Sequence, residues 1–142
     1  MTRPQTPLLA VDVIVEMGAP VRIVLVQRRY PPHGWAIPGG FVDVGETVAQ
    51  AARRELQEEA ALDVELTELL GCYSNPARDP RGHTVSIVFI GRARGKPRAG
   101  DDAGLAELFD PAAPPALVFD HAQILADYRA LRSSGQRPAI ER

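Results

Sequence analysis

The stretch from Thr47 to Ala61, TVAQAARRELQEEAA, constrains the fold more than any other part of the chain. Its alanine-rich interior has high helix propensity, and Thr47 and Gln50 stand at the spacing of a capping box. Val48, Ala52 and Leu56 recur at four-residue steps with Ala51 beside them, which gives one apolar stripe and predicts a helix packed on a sheet. Glu55, Glu58 and Glu59 fall at i, i+3 and i+4, so their carboxylates share another face. Each like-charged i,i+4 pair costs about 0.2–0.5 kcal/mol, so something should offset the repulsion. A hard divalent cation does so, because Mg²⁺ takes carboxylate oxygens and keeps other positions for water and phosphate oxygens. Arg54, beside Glu55 and four residues before Glu58, is placed to orient the carboxylates. Taken alone, a string such as RRELQEE also fits a solvated surface face.

Val/Ile-rich runs at 8–16 and 21–29 read as strands joined through Met17-Gly18-Ala19-Pro20. Residues 30–34 read as a proline-marked loop, and Pro38-Gly39-Gly40 breaks any continuous strand over 35–44 while allowing short extended pieces on either side. Strands are expected at 64–73, 83–93 and 105–109. Asp120 is expected to cap a second helix running to about Leu131, with Ile124, Leu125, Tyr128 and Leu131 as its buried stripe. A loose tail is expected from about 134 to 142. Strands outnumber helices and the clearest helix lies between strands, so the expected class is α/β (α+β), with helices layered on a mixed sheet.

The 142 residues suit one domain, 1–142. With 16 basic and 18 acidic side chains the net charge is −2, and 45% of residues are hydrophobic. That balance gives nucleic acid no polybasic face and anionic membranes no attraction, and the apolar share excludes a disordered chain. No run approaches the roughly 18 apolar residues of a membrane span, and no basic segment with an apolar run opens the chain, so the cytoplasm is the default compartment. The one cysteine, Cys72, excludes an internal disulfide and a multi-cysteine zinc site, and is expected to be a small buried residue. His33, His83 and His121 show no zinc-ligand spacing.

The spacing around the helix carries more information than the helix alone. It runs Gly40, five residues, Glu46, seven residues, Arg54-Glu55-Leu56, one residue, Glu58-Glu59, one residue, Ala61-Leu62. This resembles the Nudix box, G-x5-E-x7-R-E-U-x-E-E-x-G-U with U a bulky aliphatic residue, over positions 40–62. Every fixed position matches except one, where Ala61 replaces a glycine suited to a left-handed helix cap. The approach Trp35-Ala36-Ile37-Pro38-Gly39-Gly40-Phe41 is also similar to that family. The resemblance implies a Nudix-type α/β/α sandwich that hydrolyses a nucleoside diphosphate linked to another moiety. Carried over, Glu58 and Glu59 would be the principal metal ligands, Glu55 a further ligand or water-activating partner, and the Gly39 carbonyl another ligand. Arg54 would hold the glutamates, with Gly40 and Glu46 in support. Mg²⁺ is the expected cofactor, with Mn²⁺ as the alternative.

The stretch 74–83 and Phe119-Asp120-His121 resemble sequences of ADP-ribose pyrophosphatases. This favours ADP-ribose cleaved to AMP and ribose 5-phosphate over house-cleaning hydrolysis of nucleoside triphosphates. A third alternative is a ligand-binding sensor of NAD metabolites. Against it stand three intact glutamates and only about ten residues after the last expected helix. Similar ADP-ribose hydrolases commonly form homodimers, which sets the expectation here. Arg78 and Arg81, in a proline-stiffened loop, suit bidentate phosphate recognition, or else a solvated loop in which Asp79 bridges both guanidinium groups. Arg28 and Arg29 end a strand, and alternation predicts that only one reaches the site. Trp35 and Phe41 are expected in the core before a base-stacking role. A distal acid often completes such sites outside the box, and Asp101, Asp102 and Glu107 are the candidates.

Overall fold

A computed structural model describes residues 2–100 and 103–142, with Ala103 described by its backbone only. Among these residues the chain forms strands β1 (Leu8–Met17), β2 (Arg22–Arg28), β3 (Gly34–Ala36) and β4 (Gly39–Phe41), then helix α1 (Val48–Ala60). Strands β5 (Glu65–Tyr73), β6 (Thr84–Arg92) and β7 (Ala103–Phe109) follow, and helix α2 (His121–Ser134) is last. All seven strands join one mixed sheet. β1 runs parallel to β6 along its whole length, from Leu8 opposite Thr84 to Glu16 opposite Arg92. No helix among the described residues is long and apolar enough to cross a membrane.

Strand alternation divides the core between the two faces of the sheet. Val11, Val13, Val15 and Met17 of β1 meet Ala51, Ala52, Leu56 and Ala60 of α1 in one cluster. Ile14, Ile23, Leu25, Val88 and Ile90 meet Ile124, Leu125 and Tyr128 of α2 in the other. The expected α/β/α sandwich is the one observed. With both faces covered, β1 reads as a nearly unbroken apolar run.

The sheet opens where the site lies. β1 and β2 pair only at the hairpin end, through Glu16–Ile23 and Met17–Arg22. Beyond that point they diverge. β4 takes the free edge of β1 at Ala10–Asp12, and β3 takes the free edge of β2 at Val26–Arg28. The expected break with short extended pieces on either side is present, but it falls at Ile37-Pro38, and Gly39 and Gly40 open β4. A Cβ on Gly39 would overlap the Val11 carbonyl oxygen, so glycine lets two backbones approach closely there.

The capping box forms as the spacing predicts. Thr47 Oγ1 accepts from the Gln50 N–H at 3.0 Å, and Gln50 Oε1 accepts from the Thr47 N–H at 2.8 Å. At the other end Ala61 adopts the left-handed conformation at φ 55° in spite of its side chain. The segment before Asp101 covers the remaining carbonyls: Arg98 N–H donates to Ala60 O (2.8 Å) and Gly100 N–H to Glu59 O (3.1 Å).

Three expectations about the second half of the chain are corrected. Asp120 makes no side-chain cap on α2, because its carboxylate is bound by Arg78. Cys72 is exposed, because a register shift in β5 between Leu69 and Gly71 breaks the alternation and lets Leu70 and Tyr73, three residues apart, both turn inward. The stretch 135–142 is tied down: Arg137 Nη1 donates to Leu69 O (2.9 Å), Ser74 N–H to Arg142 O (2.6 Å), and the Arg142 guanidinium to Asp127.

Candidate active site

A cleft of about 360 Å³ lies where β1 and β2 part, over the N-terminal half of β1 and beside α1. Glu55 and Glu59 project into it from α1, and Gly39 and Gly40 form its floor. A Cβ on Gly40 would overlap the Glu55 carboxylate, so the glycine leaves room for the acid. The Gly39 N–H donates to Glu59 Oε2 at 3.0 Å.

Arg54 binds the acidic side chains from outside the cleft. Its Nε donates to Glu46 Oε2 (3.1 Å), and its Nη1 donates to Glu55 Oε1 (2.8 Å) and Glu58 Oε2 (3.3 Å). Nη2 donates to the Phe41 carbonyl at 3.0 Å, which ties α1 to β4. Hydrogen bonds from Arg54 hold the Glu46 carboxyl down to about 2. Glu58 is largely exposed and does not line the cleft, whereas Glu59 is partly buried within it. The reason is helical: Glu55 and Glu59 are one i,i+4 row facing β4, and Glu58 stands to one side.

Burial pushes the Glu59 carboxyl up to about 8, and the nearby Glu55 and Asp12 carboxylates push the same way against the Gly39 N–H and Arg28. Burial raises Glu55 as well, opposed by Arg54. Among the described residues no three His, Cys, Asp or Glu side chains converge as a closed metal cage. Two repelling carboxylates beside bare glycine backbone instead match a hard cation that binds few protein oxygens and keeps open positions. The residues present therefore fit such an ion.

Opposite the acids the wall is cationic. Arg28, Arg29, Arg78 and Arg81 all line the cleft. The alternation argument fails for the first pair because β2 ends at Arg28, so Arg29 belongs to the following turn and also reaches the wall. Arg28 Nε donates to the Pro32 carbonyl at 2.9 Å. Arg78 is buried, with its guanidinium forked onto Asp120 at 2.9 and 2.7 Å and a further bond to Thr84 Oγ1 at 3.0 Å. Arg81 is more exposed and forks onto Asp79. Asp79 thus serves Arg81, while Arg78 finds its carboxylate 42 residues away.

Of the distal-acid candidates, Glu107 is exposed on β7 opposite Leu25 and does not line the cleft, and Asp101 and Asp102 lie outside the described residues. Outside the helix two acids line the cleft: Asp79, taken up by Arg81, and Asp12 of β1. Burial pushes it up to about 7, against a hydrogen bond from the Ser86 hydroxyl and the charge of Arg78. Its only signal in sequence is one acid inside an apolar strand, LLAVDVIVEM. His121 sits beside it, with Nε2 3.7 Å from Asp12 Oδ1. The Ile37 N–H donates to His121 Nδ1 at 2.9 Å, and burial, with Arg78 and Arg28 nearby, lowers this imidazole to about 3, so the ring is neutral. Trp35 packs edge-on against Phe109, as core packing predicts. Phe41 differs: it is exposed and lines the cleft, because β4 presents it outward at the mouth.

The chain matches the NUDIX domain over residues 6–128. It is 49% identical over 125 residues to the ADP-ribose pyrophosphatase of Methanocaldococcus jannaschii, which covers 86% of this chain and 73% of that protein. The crystal structure of a NUDIX hydrolase from Nitrosomonas europaea is similar at a TM-score of 0.82 and 28% identity, covering 95% of this chain and 77% of that one. A bifunctional NMN adenylyltransferase/ADP ribose pyrophosphatase from Francisella tularensis, solved with AMP and a Mn ion, is similar at a TM-score of 0.72 and 28% identity. That likeness covers 92% of this chain and 43% of the other. Because the match runs from ahead of β1 into α2 and includes the helix whose acids line the cleft, the chain belongs to the Nudix hydrolases.

Proposed function

We propose that this hydrolase cleaves the diphosphate of ADP-ribose to AMP and ribose 5-phosphate, using Mg²⁺. The observation that carries the proposal is one cleft with Glu55 and Glu59 on one wall and Arg28 and Arg81 on the other. The relatives that act on ADP-ribose support the choice of substrate. Glu55 and Glu59, with the Gly39 carbonyl and with Glu58 at the rim, would hold the metal. A bound divalent ion supplies neutralisation of the diphosphate and activation of water for in-line attack on phosphorus.

The chain's own residues do the rest. Arg54 fixes the Glu55 carboxylate and, through Glu46 and the Phe41 carbonyl, the angle between α1 and β4. The Gly39 N–H fixes Glu59. Arg28, Arg29 and Arg81 offer guanidinium donors to phosphate oxygens across the cleft. Arg78 acts from below, since its donors are already used on Asp120 and Thr84.

The test is a product-resolved hydrolysis panel in Mg²⁺ and in Mn²⁺, covering ADP-ribose, NADH, diadenosine polyphosphates and nucleoside triphosphates. The expected result is preferential release of AMP and ribose 5-phosphate from ADP-ribose, lost when Glu58→Gln and Glu59→Gln are combined. Preference for triphosphates with release of inorganic pyrophosphate would refute the substrate. Turnover of nothing in the panel would refute catalysis in favour of a sensor.

A further inference from the structure

Phe119 stands at the cleft with a left-handed backbone, φ 57°, in a region that bulky side chains rarely occupy. The conformation is fixed from both sides. Val118 N–H donates to the Trp35 carbonyl at 3.0 Å, and the Asp120 carboxylate is gripped by the Arg78 fork. One residue further, His121 Nδ1 accepts from the Ile37 N–H. Such over-determined strain is a pointer to use at a site. The ring is half-buried, belongs to none of the hydrophobic clusters and lines the cleft.

Two cations lie over the ring, the Arg28 guanidinium carbon 5.0 Å from its centroid and that of Arg81 5.2 Å, and the His121 ring is tilted against it at 5.2 Å. Each cation is held elsewhere, Arg28 by the Pro31 and Pro32 carbonyls and Arg81 by Asp79, so they stand as fixed neighbours of the ring. Arg81 also lies 5.6 Å from the exposed Phe41 ring at the mouth. A planar aromatic group entering this end of the cleft meets guanidinium groups laid against a phenyl ring, and both kinds of group stack on nucleobases.

We propose that Phe119, with the guanidinium groups of Arg28 and Arg81 laid over it, forms the stacking platform for the base of the substrate, and that the ring sets the requirement for a nucleoside at that end. The proposal rests on the cleft being a nucleoside-diphosphate site. Stacking tolerates any base, so Phe119 demands a base without choosing strongly among purines.

The test is calorimetric titration of the full chain with AMP and, separately, with ribose 5-phosphate, using wild type, Phe119→Asn, Phe119→Leu and Phe119→Trp. Asn tolerates the left-handed backbone and removes the ring, whereas Leu keeps bulk without a π face. The expected result is an AMP affinity reduced about 10-fold or more in F119N and F119L, with ribose 5-phosphate binding unchanged and F119W close to wild type. Unchanged AMP binding in F119N and F119L overturns the proposal. So does an equal loss for both ligands, or a wild type that does not prefer AMP to ribose 5-phosphate. Failure of wild type to split ADP-ribose would refute the proposed reaction, while the AMP titration still decides the role of the ring.

Discussion

Replacing Gly39 and Gly40 by alanine, one at a time, makes the same chemical change at adjacent positions with opposite expected consequences. A Cβ on Gly39 overlaps the Val11 carbonyl oxygen and Asp12 Oδ1 and lies 2.8 Å from the Asp12 Cα. Two of those atoms are backbone in a strand paired on both edges, and they cannot turn aside. Overpacking of this kind costs about 1–3 kcal/mol, occasionally more. In a chain of this size that is a melting-temperature loss of roughly 3–12 °C. A Cβ on Gly40 overlaps only the Glu55 carboxylate, the far end of a side chain with three torsions. Glu55 swings away at a cost of under about 1 kcal/mol, breaking its 2.8 Å bond to Arg54 Nη1 and leaving the cleft. Gly39→Ala is therefore expected to lose stability first, and Gly40→Ala to lose activity, by about 10–100-fold, while keeping its fold. Differential scanning calorimetry and Mg²⁺-dependent hydrolysis, run on both variants, check the pair. A Gly39→Ala that melts with wild type, or a Gly40→Ala that is destabilised as much as Gly39→Ala, would refute the reasoning from close approach.

The other predictions concern features outside that floor. Ala61→Gly removes the left-handed strain at the end of α1, and chemical denaturation should show about 1 kcal/mol of added stability. Arg78→Lys loses the fork on Asp120 in a buried setting, so it should cost about 3 kcal/mol in denaturant titration. If Arg78 were mainly a phosphate ligand, KM would instead rise with stability intact. At Asp127, burial raises the carboxyl, but hydrogen bonds from Arg142, Tyr73 and Gln123 outweigh it and hold the group below the ordinary 3.8. The ionised form is thus favoured by folding. Its contribution is fully present above that value and lost as the pH falls below it. Asp127→Asn should lower stability at neutral pH by about 1.5–3 kcal/mol and flatten the decline below pH 3.8, measured by urea melts across that range.

What was legible in the sequence was local. The α1 stripe, the Thr47–Gln50 capping box and the shared face of Glu55 and Glu59 follow from the period of the helix, in which residues three and four apart are neighbours whatever the rest of the chain does. The strand at 8–16 likewise needed only a Val/Ile-rich run ended by turn residues. The spacing from Gly40 to Leu62 carried the family because it records many such local requirements at once.

Other features depended on which segments meet. Alternation admits only one of Arg28 and Arg29 to the cleft, but it holds only inside a strand, and where β2 stops is set by its pairing with β3 and β7. Asp12 is a single acid in an apolar strand, and nothing nearby in sequence announces Ser86, Arg78 or His121 as its neighbours. Local spacing offers Asp120 a helix cap, a partner within reach in sequence, whereas a guanidinium 42 residues away forms a stronger charged fork. The sequence by itself determined the acidic helix and the class of chemistry, because these rest on contacts within a turn or two of backbone. Only the tertiary structure decided the cleft, with its arginine wall, Asp12 floor and strained Phe119, because these come from β1 and β2 parting and from long-range pairings that no local period encodes.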